Sequence, residues 1–127
     1  HVVGRIDADA VVRTGRVPRG DLDSLIDRAA ALVFPSLYEG FGLPVLEAMA
    51  AGCPVIAADA TSLPEVVDGA GTLVAPDDVD GWAAAMAAHL DASRDELAAR
   101  GRHRAAMYTP AASVAALVAS YRRALTA

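Results

Sequence analysis

Short apolar runs that alternate with amphipathic stretches constrain this chain more than any other feature. Residues 31–35 and 54–58 are continuous apolar runs, the pattern of strands buried on both faces. Residues 11–14 and 72–75 read as two more short strands. Residues 21–30 predict a helix, with Asp21 as its N-cap and Leu22, Leu25, Ile26 and Ala29 on one face. Residues 44–51 predict a two-turn helix with Pro44 in its first turn and Gly52 as its stop. Ser62 to Glu65 and Ser93 to Glu96 both have the form of a capping box. The first opens a short helix and the second a helix running to about Met107. Residues 78–91 predict a helix presenting Val79, Trp82, Met86 and Leu90. Thr109 and Pro110 start a last helix with Val114, Leu117, Val118 and Tyr121 on its apolar side.

Strands alternating with helices need crossover connections. The expected fold is α/β: a Rossmann-like parallel sheet with helices on both faces. Such sheets bind ligands at the carboxyl ends of their strands, against helix N-termini. A site is therefore expected just after Thr14, Pro35 or Ala58. The 127 residues suffice for one compact domain, and a 54% hydrophobic composition supplies a core. The net charge of −5 argues against a nucleic-acid surface, so no nucleic-acid partner is expected. A single cysteine, Cys53, allows no internal disulfide and reads as a buried thiol in a reduced, cytoplasmic protein. No apolar run is long enough to span a bilayer, and no signal-peptide pattern is visible.

The chemistry concentrates after the 31–35 run. Gly40 and Gly42 allow unusual dihedrals and close backbone approach. They lead into a helix N-terminus, where free amides and the dipole favour an anion. Neither a P-loop lysine nor the GxGxxG spacing is present. Glu39 sits at the strand exit and Glu47 in the first turn or so of the helix. A carboxylate can accept hydrogen bonds from two vicinal hydroxyls of a ribose or hexose. An anion site between two such carboxylates matches a nucleotide-sugar: ribose, diphosphate, sugar. Taken singly, the glycines would suit an ordinary turn, Glu39 a solvated loop and Glu47 a helix surface.

The pattern Pro35-Ser36-x-x-Glu39-Gly40-Phe41-Gly42-x-Pro44-x-x-Glu47-Ala48-Met49, followed by Gly52-x-Pro54-Val55-Ile56 and Leu63-Pro64-Glu65-Val66-Val67, resembles the C-terminal domain of glycosyltransferase family 4. The resemblance runs from about Val11 to Ala127. It implies a retaining, two-domain GT-B enzyme whose C-terminal half holds the nucleoside-diphosphate (NDP) sugar and whose N-terminal half holds the acceptor. It implies that Glu39 contacts the transferred sugar and is the catalytic residue, and that Glu47 holds the ribose. Backbone amides of Gly40, Phe41, Gly42, Leu43 and Val45 would meet sugar and diphosphate, and the backbone at Arg16 and Val17 would lie beside the base. No cofactor or metal is expected beyond the donor itself.

Departures from the family pattern are also visible. The family's opening strand, its Arg- and Lys-bearing loop and the following helix are not recognisable, although Val2 to Arg5 superficially resemble their start. Residues 1–5 read instead as the end of a later strand or a stub. The chain is thus expected to be a partial donor domain over residues 1–127, with the acceptor domain and the first strand-loop-helix unit lying outside it. Alone, it is expected to bind donor weakly and transfer little. Tyr108, Thr109 and Pro110 stand where a tryptophan is common. The block from Ser62 to Val67, with Pro76, Asp77 and Asp78, leans toward mannosyl transfer from GDP-mannose. Any attachment of the full enzyme to the inner face of a membrane would be decided outside this chain.

Other residues have plainer readings. His89 and His103 lack partners at metal-ligand spacing. Trp82 is expected in the core. Arg94, Arg100, Arg102 and Arg104 are expected on a solvated helix face. Glu65 reads as a capping residue. Two rival functions stay open: another GT-B enzyme such as a nucleotide-sugar epimerase, and a non-catalytic nucleotide-binding module self-associating through an open sheet edge.

Overall fold

The computed structural model describes residues 11–126. Three parallel strands, β1 (Leu32–Phe34), β2 (Val55–Ala58) and β3 (Thr72–Val74), pair in the order β1-β2-β3. Val33 lies opposite Ile56, and Ala57 opposite Leu73. The described helices are α1 (Arg19–Arg28), α2 (Leu43–Ala51), α3 (Leu63–Val67), α4 (Val79–Asp91), α5 (Arg94–Ala105) and α6 (Pro110–Leu125). The expected α/β architecture with a parallel sheet is therefore present.

β2 is central because its four residues are all apolar. A strand that is paired on both edges and covered on both faces leaves no place for a polar side chain. All four are buried. Val45, Ala48 and Met49 of α2 join Leu63, Val66 and Val67 of α3 around it in one core. α2 ends as its sequence demands: Gly52 takes φ 77°, and its amide reaches back to Ala48 and Met49. α5 lies across α2, with Gly101 facing Met49. The Asp78 side chain accepts from the Gly81 amide at 2.8 Å and caps α4, and Thr109 caps α6 through the Ala112 amide at 3.0 Å.

Several expectations need correction. Residues 11–14 form no strand. Paired valines favour extension only where a half-buried pleated surface receives them. Val12 is 84% exposed, and no described strand lies beside it. The reading of residues 1–5 lies outside the described residues. α1 begins at Arg19, so its N-cap is Pro18 and Asp21 falls in the first turn. β1 is not buried on both faces: Val33 is 37% exposed, on a strand at the edge of the described sheet. Neither Ser62 nor Ser93 caps the helix it precedes. The Ser62 hydroxyl is diverted to a distant carbonyl. At α5, Asp95 and Glu96 answer the helix dipole in the first turn instead.

On the expected apolar face of α4 only Trp82 is buried. Its indole N–H donates to the Ala75 carbonyl at 3.1 Å, which fixes it in the core. His89 is buried on α4, with Nδ1 2.9 Å from the Ala85 carbonyl. Val114, Leu117, Val118 and Tyr121 of α6 are all exposed. No helix among the described residues is long and apolar enough to cross a membrane.

Candidate functional site

Because β1 and β2 are parallel, their carboxyl ends open at the same edge of the sheet. The loop over residues 35–42 leaves β1 there, and the loop over residues 59–62 leaves β2 beside it. Gly42 is the N-cap of α2 at φ 94°, a left-handed conformation that disfavours any side chain. A Cβ at Gly42 would stand 2.8 Å from Leu63 Cδ2. Gly40 differs, since a Cβ there would meet open space.

The loop leaves a row of donors. Among the described residues, the amides of Gly40, Phe41, Gly42 and Leu43 find no backbone or side-chain acceptor. The Val45 amide differs, as it donates to the Gly42 carbonyl at 3.0 Å. Four unengaged amides at the start of a helix, with the positive end of its dipole behind them, suit an anion.

Glu39 is partly buried beside this row. Its carboxylate accepts from the Ser36 hydroxyl at 2.9 Å. Glu47 lies in the second turn of α2, slightly further along than its spacing suggested. It is held by Arg19: Nη1 is 3.3 Å from Oε1, and Nη2 is 3.3 Å from Oε2. Arg19 also pairs with Asp23 at 2.8 Å. These two carboxylates raise its pKa further, the Glu47 hydrogen bond being the larger influence. The pair is solvent-exposed, so it orients Glu47 more than it stabilises the fold. Arg16 and Val17 precede Pro18, the N-cap of α1, and the first residue of that helix, Arg19, contacts Glu47.

A second cluster supports the loop from outside. Phe41 meets Tyr108 edge-on, with ring centroids 5.5 Å apart. Arg104 stacks over the Tyr108 ring at 5.0 Å and donates to its hydroxyl at 2.8 Å. The same guanidinium donates to the carbonyls of Glu65 and Val66 and pairs with Asp68. Arg104 is therefore a tie between α5 and α3 rather than part of a solvated face. Glu65 takes part through its carbonyl. Arg94 also has a partner, the Asp27 carbonyl at 2.6 Å.

Cys53 is buried in the core, and burial pushes its thiol pKa above the ordinary range. Among the described residues, no group of three or more His, Cys, Asp or Glu is placed to hold a metal.

Sequence reasoning named the carboxylates and the glycines but missed Arg19 and Thr61, and it noted Tyr108 without its contact to Phe41. Arg19 sits 28 residues from Glu47, and no periodicity links them. Thr61 contributes a side-chain oxygen from the neighbouring strand's loop. Only the strand order could have announced it.

A family model described as glycosyl transferases group 1 matches residues 2–92. The chain is 46% identical over 101 residues to O-antigen chain mannosyltransferase B of Escherichia coli, covering 75% of this chain and 26% of that protein. It is 41% identical over 124 residues to an MMP alpha-(1->4)-mannosyltransferase of Mycolicibacterium hassiacum, covering 93% of this chain and 30% of that one. It is 46% identical over 112 residues to a D-inositol 3-phosphate glycosyltransferase of Mycobacterium avium, covering 84% of this chain and 26% of that one. The chain thus spans between 26% and 30% of the length of these relatives. With the match covering most of its length and the glycine loop lying inside it, the chain belongs to the group 1 glycosyl transferases.

Proposed function

We propose that this chain is the donor-binding half of a retaining GT-B glycosyltransferase acting in the cytoplasm, with the acceptor held by a second domain of the same protein. The donor in this reading is a nucleoside-diphosphate hexose, and GDP-mannose is the first candidate. Two of the three relatives above are named mannosyltransferases, which supports that choice. The observation that carries the reading is the row of four unengaged amides between Glu39 and Glu47.

The mechanism follows from where charge develops. Cleaving the bond between sugar and diphosphate leaves negative charge on the departing nucleotide and oxocarbenium character on the sugar. Fixed amides at the start of α2 stabilise the first charge without reorganising. Glu39, partly buried beside them, accepts hydroxyls of the hexose and orients it for attack. Glu47 exchanges part of its Arg19 contact for the ribose hydroxyls. This reading assigns the leaving-group charge to amides rather than to a metal ion.

The test is ligand-induced thermal stabilisation with GDP, UDP and ADP and their sugars, with Glu47→Ala as control. One nucleotide series should stabilise the protein, and the variant should lose that effect. Equal stabilisation of Glu47→Ala would sink the assignment of the ribose site. Retention is checked separately, by NMR of the anomeric linkage in the product.

A further inference from the structure

The loop carrying Glu39 is gripped by three consecutive residues of the adjacent loop. Thr61 Oγ1 accepts from the Glu39 amide at 3.1 Å. The Ser62 hydroxyl donates to the Glu39 carbonyl at 3.1 Å. Leu63, fully buried, abuts Gly42 so closely that a Cβ there would stand 2.8 Å from its Cδ2. Both polar groups of one peptide residue are thus held by side chains more than twenty positions away.

Two features of this grip run against local preference. Ser62 precedes α3 and would ordinarily accept from that helix's first-turn amides. It makes no such bond and turns to Glu39 instead. Thr61 holds φ 49°, a left-handed conformation that a β-branched side chain strongly disfavours. Strain of that kind persists where the surroundings enforce it, and it gathers at functional sites. Here the strained residue presents its hydroxyl to the backbone of Glu39.

We infer that Thr61 and Ser62 are positioning residues that set the reach of Glu39 toward the transferred sugar. The inference rests on the reading of Glu39 as the sugar-contacting carboxylate. Thr61 and Ser62 act on the sugar end of the donor, whereas Glu47 and the α2 amides hold its nucleotide end. Loosening the grip therefore slows transfer and weakens the preference for NDP-sugar over free NDP, while leaving NDP binding unchanged.

The experiment uses the full-length protein and measures donor and NDP affinity, kcat and the unfolding midpoint. Thr61→Val should lower kcat by about 10- to 100-fold, the scale of a small misplacement at a reacting centre. NDP affinity should stay within about threefold, on the same reasoning. Thr61→Ser, which keeps the hydroxyl, should restore most of the rate. Thr61→Gly should melt no earlier than the parent, because the strain is relieved, and still turn over slowly. Ser62→Ala should share the loss of rate. Wild-type kcat in Thr61→Val, or equal rates in the Val and Ser variants, would overturn the inference. If Glu47→Ala weakens NDP binding in the same protein while Thr61→Val stays fully active, only the positioning role fails. If Glu47→Ala binds NDP normally, the donor-site reading falls and this inference with it.

Discussion

Val33 and Ile56 lie opposite each other on neighbouring strands, yet they live in different environments. Ile56 is fully buried under α2 and α3. Val33 is 37% exposed on a strand with only one paired edge among the described residues. The same contrast extends outward. The β2 side carries Met49, Leu63 and Val67 at complete burial, whereas Leu22 and Leu25 on the β1 side remain exposed. Both loops of the candidate site spring from this boundary. One is rooted in the sealed half and the other in the open half, and the sealed half supplies the grip. The lesson is that rigidity here is borrowed: the Glu39 loop gains it from β2 and α3 rather than from its own strand.

The contrast can be broken most severely at its centre. Ile56→Ala should destabilise the fold by about 2–5 kcal/mol, the usual cost of emptying a filled core site. Urea unfolding of the two variants side by side should show Val33→Ala costing clearly less, because half-exposed atoms leave no sealed cavity. Equal losses would mean that the β1 side is as closed as the β2 side.

Next in size is the contact where the two halves meet. Gly42→Ala places a Cβ against Leu63 in a left-handed backbone. Strain and overpacking together should cost about 2–4 kcal/mol. Gly40→Ala, with open space around it and no positive φ, should cost much less in the same denaturation series.

A smaller effect should appear with pH. Burial raises the Cys53 pKa, with the Leu32 backbone hydrogen bond and Arg94 opposing it. The folded state therefore holds the thiol proton more tightly than the unfolded chain does. Its contribution is complete below the unfolded value of about 8.5, and it declines as pH rises from there through the folded value. Stability measured between neutral and alkaline pH should fall on that limb, and Cys53→Ala should flatten part of the fall. An identical slope in the variant would contradict a protected thiol.

The smallest effect is expected at the rim. Arg19→Ala removes an exposed pair and should leave the unfolding midpoint where it was, while changing nucleotide affinity through Glu47. A clear drop in the midpoint would mean that α1 is fastened to α2 more firmly than its exposure suggests.

What was legible in the sequence follows the same boundary. The runs of β1, β2 and β3 announced strands because apolar residues in short blocks have few other uses, and Gly52 marked the end of α2 by its own conformational freedom. Glu39, Gly40, Gly42 and Glu47 stood out because a strand exit, two glycines and a helix start follow one another along the chain, but of the two glycines only Gly42 takes a left-handed φ. Ser62 was misread for a physical reason. The order Ser-Leu-Pro-Glu satisfies the local capping pattern, and only a carbonyl 23 residues upstream outbids it. Val33 and the residues at 11–14 were misread because strand burial depends on neighbours that local pattern cannot count. Arg104 looked solvated because its acceptors, the Glu65 and Val66 carbonyls, lie on another helix.

The edge-on contact of Phe41 with Tyr108 joins parts of the chain that are made at different times. A growing chain has every strand of the described sheet by Val74, and α2 and α3 can already close over β2. The wall behind Phe41 does not yet exist. It arrives only when α5 and the residues after it have emerged and Arg104 has seated the tyrosine ring. The glycine loop therefore has its strand and its helix early in synthesis but gains its aromatic wall late.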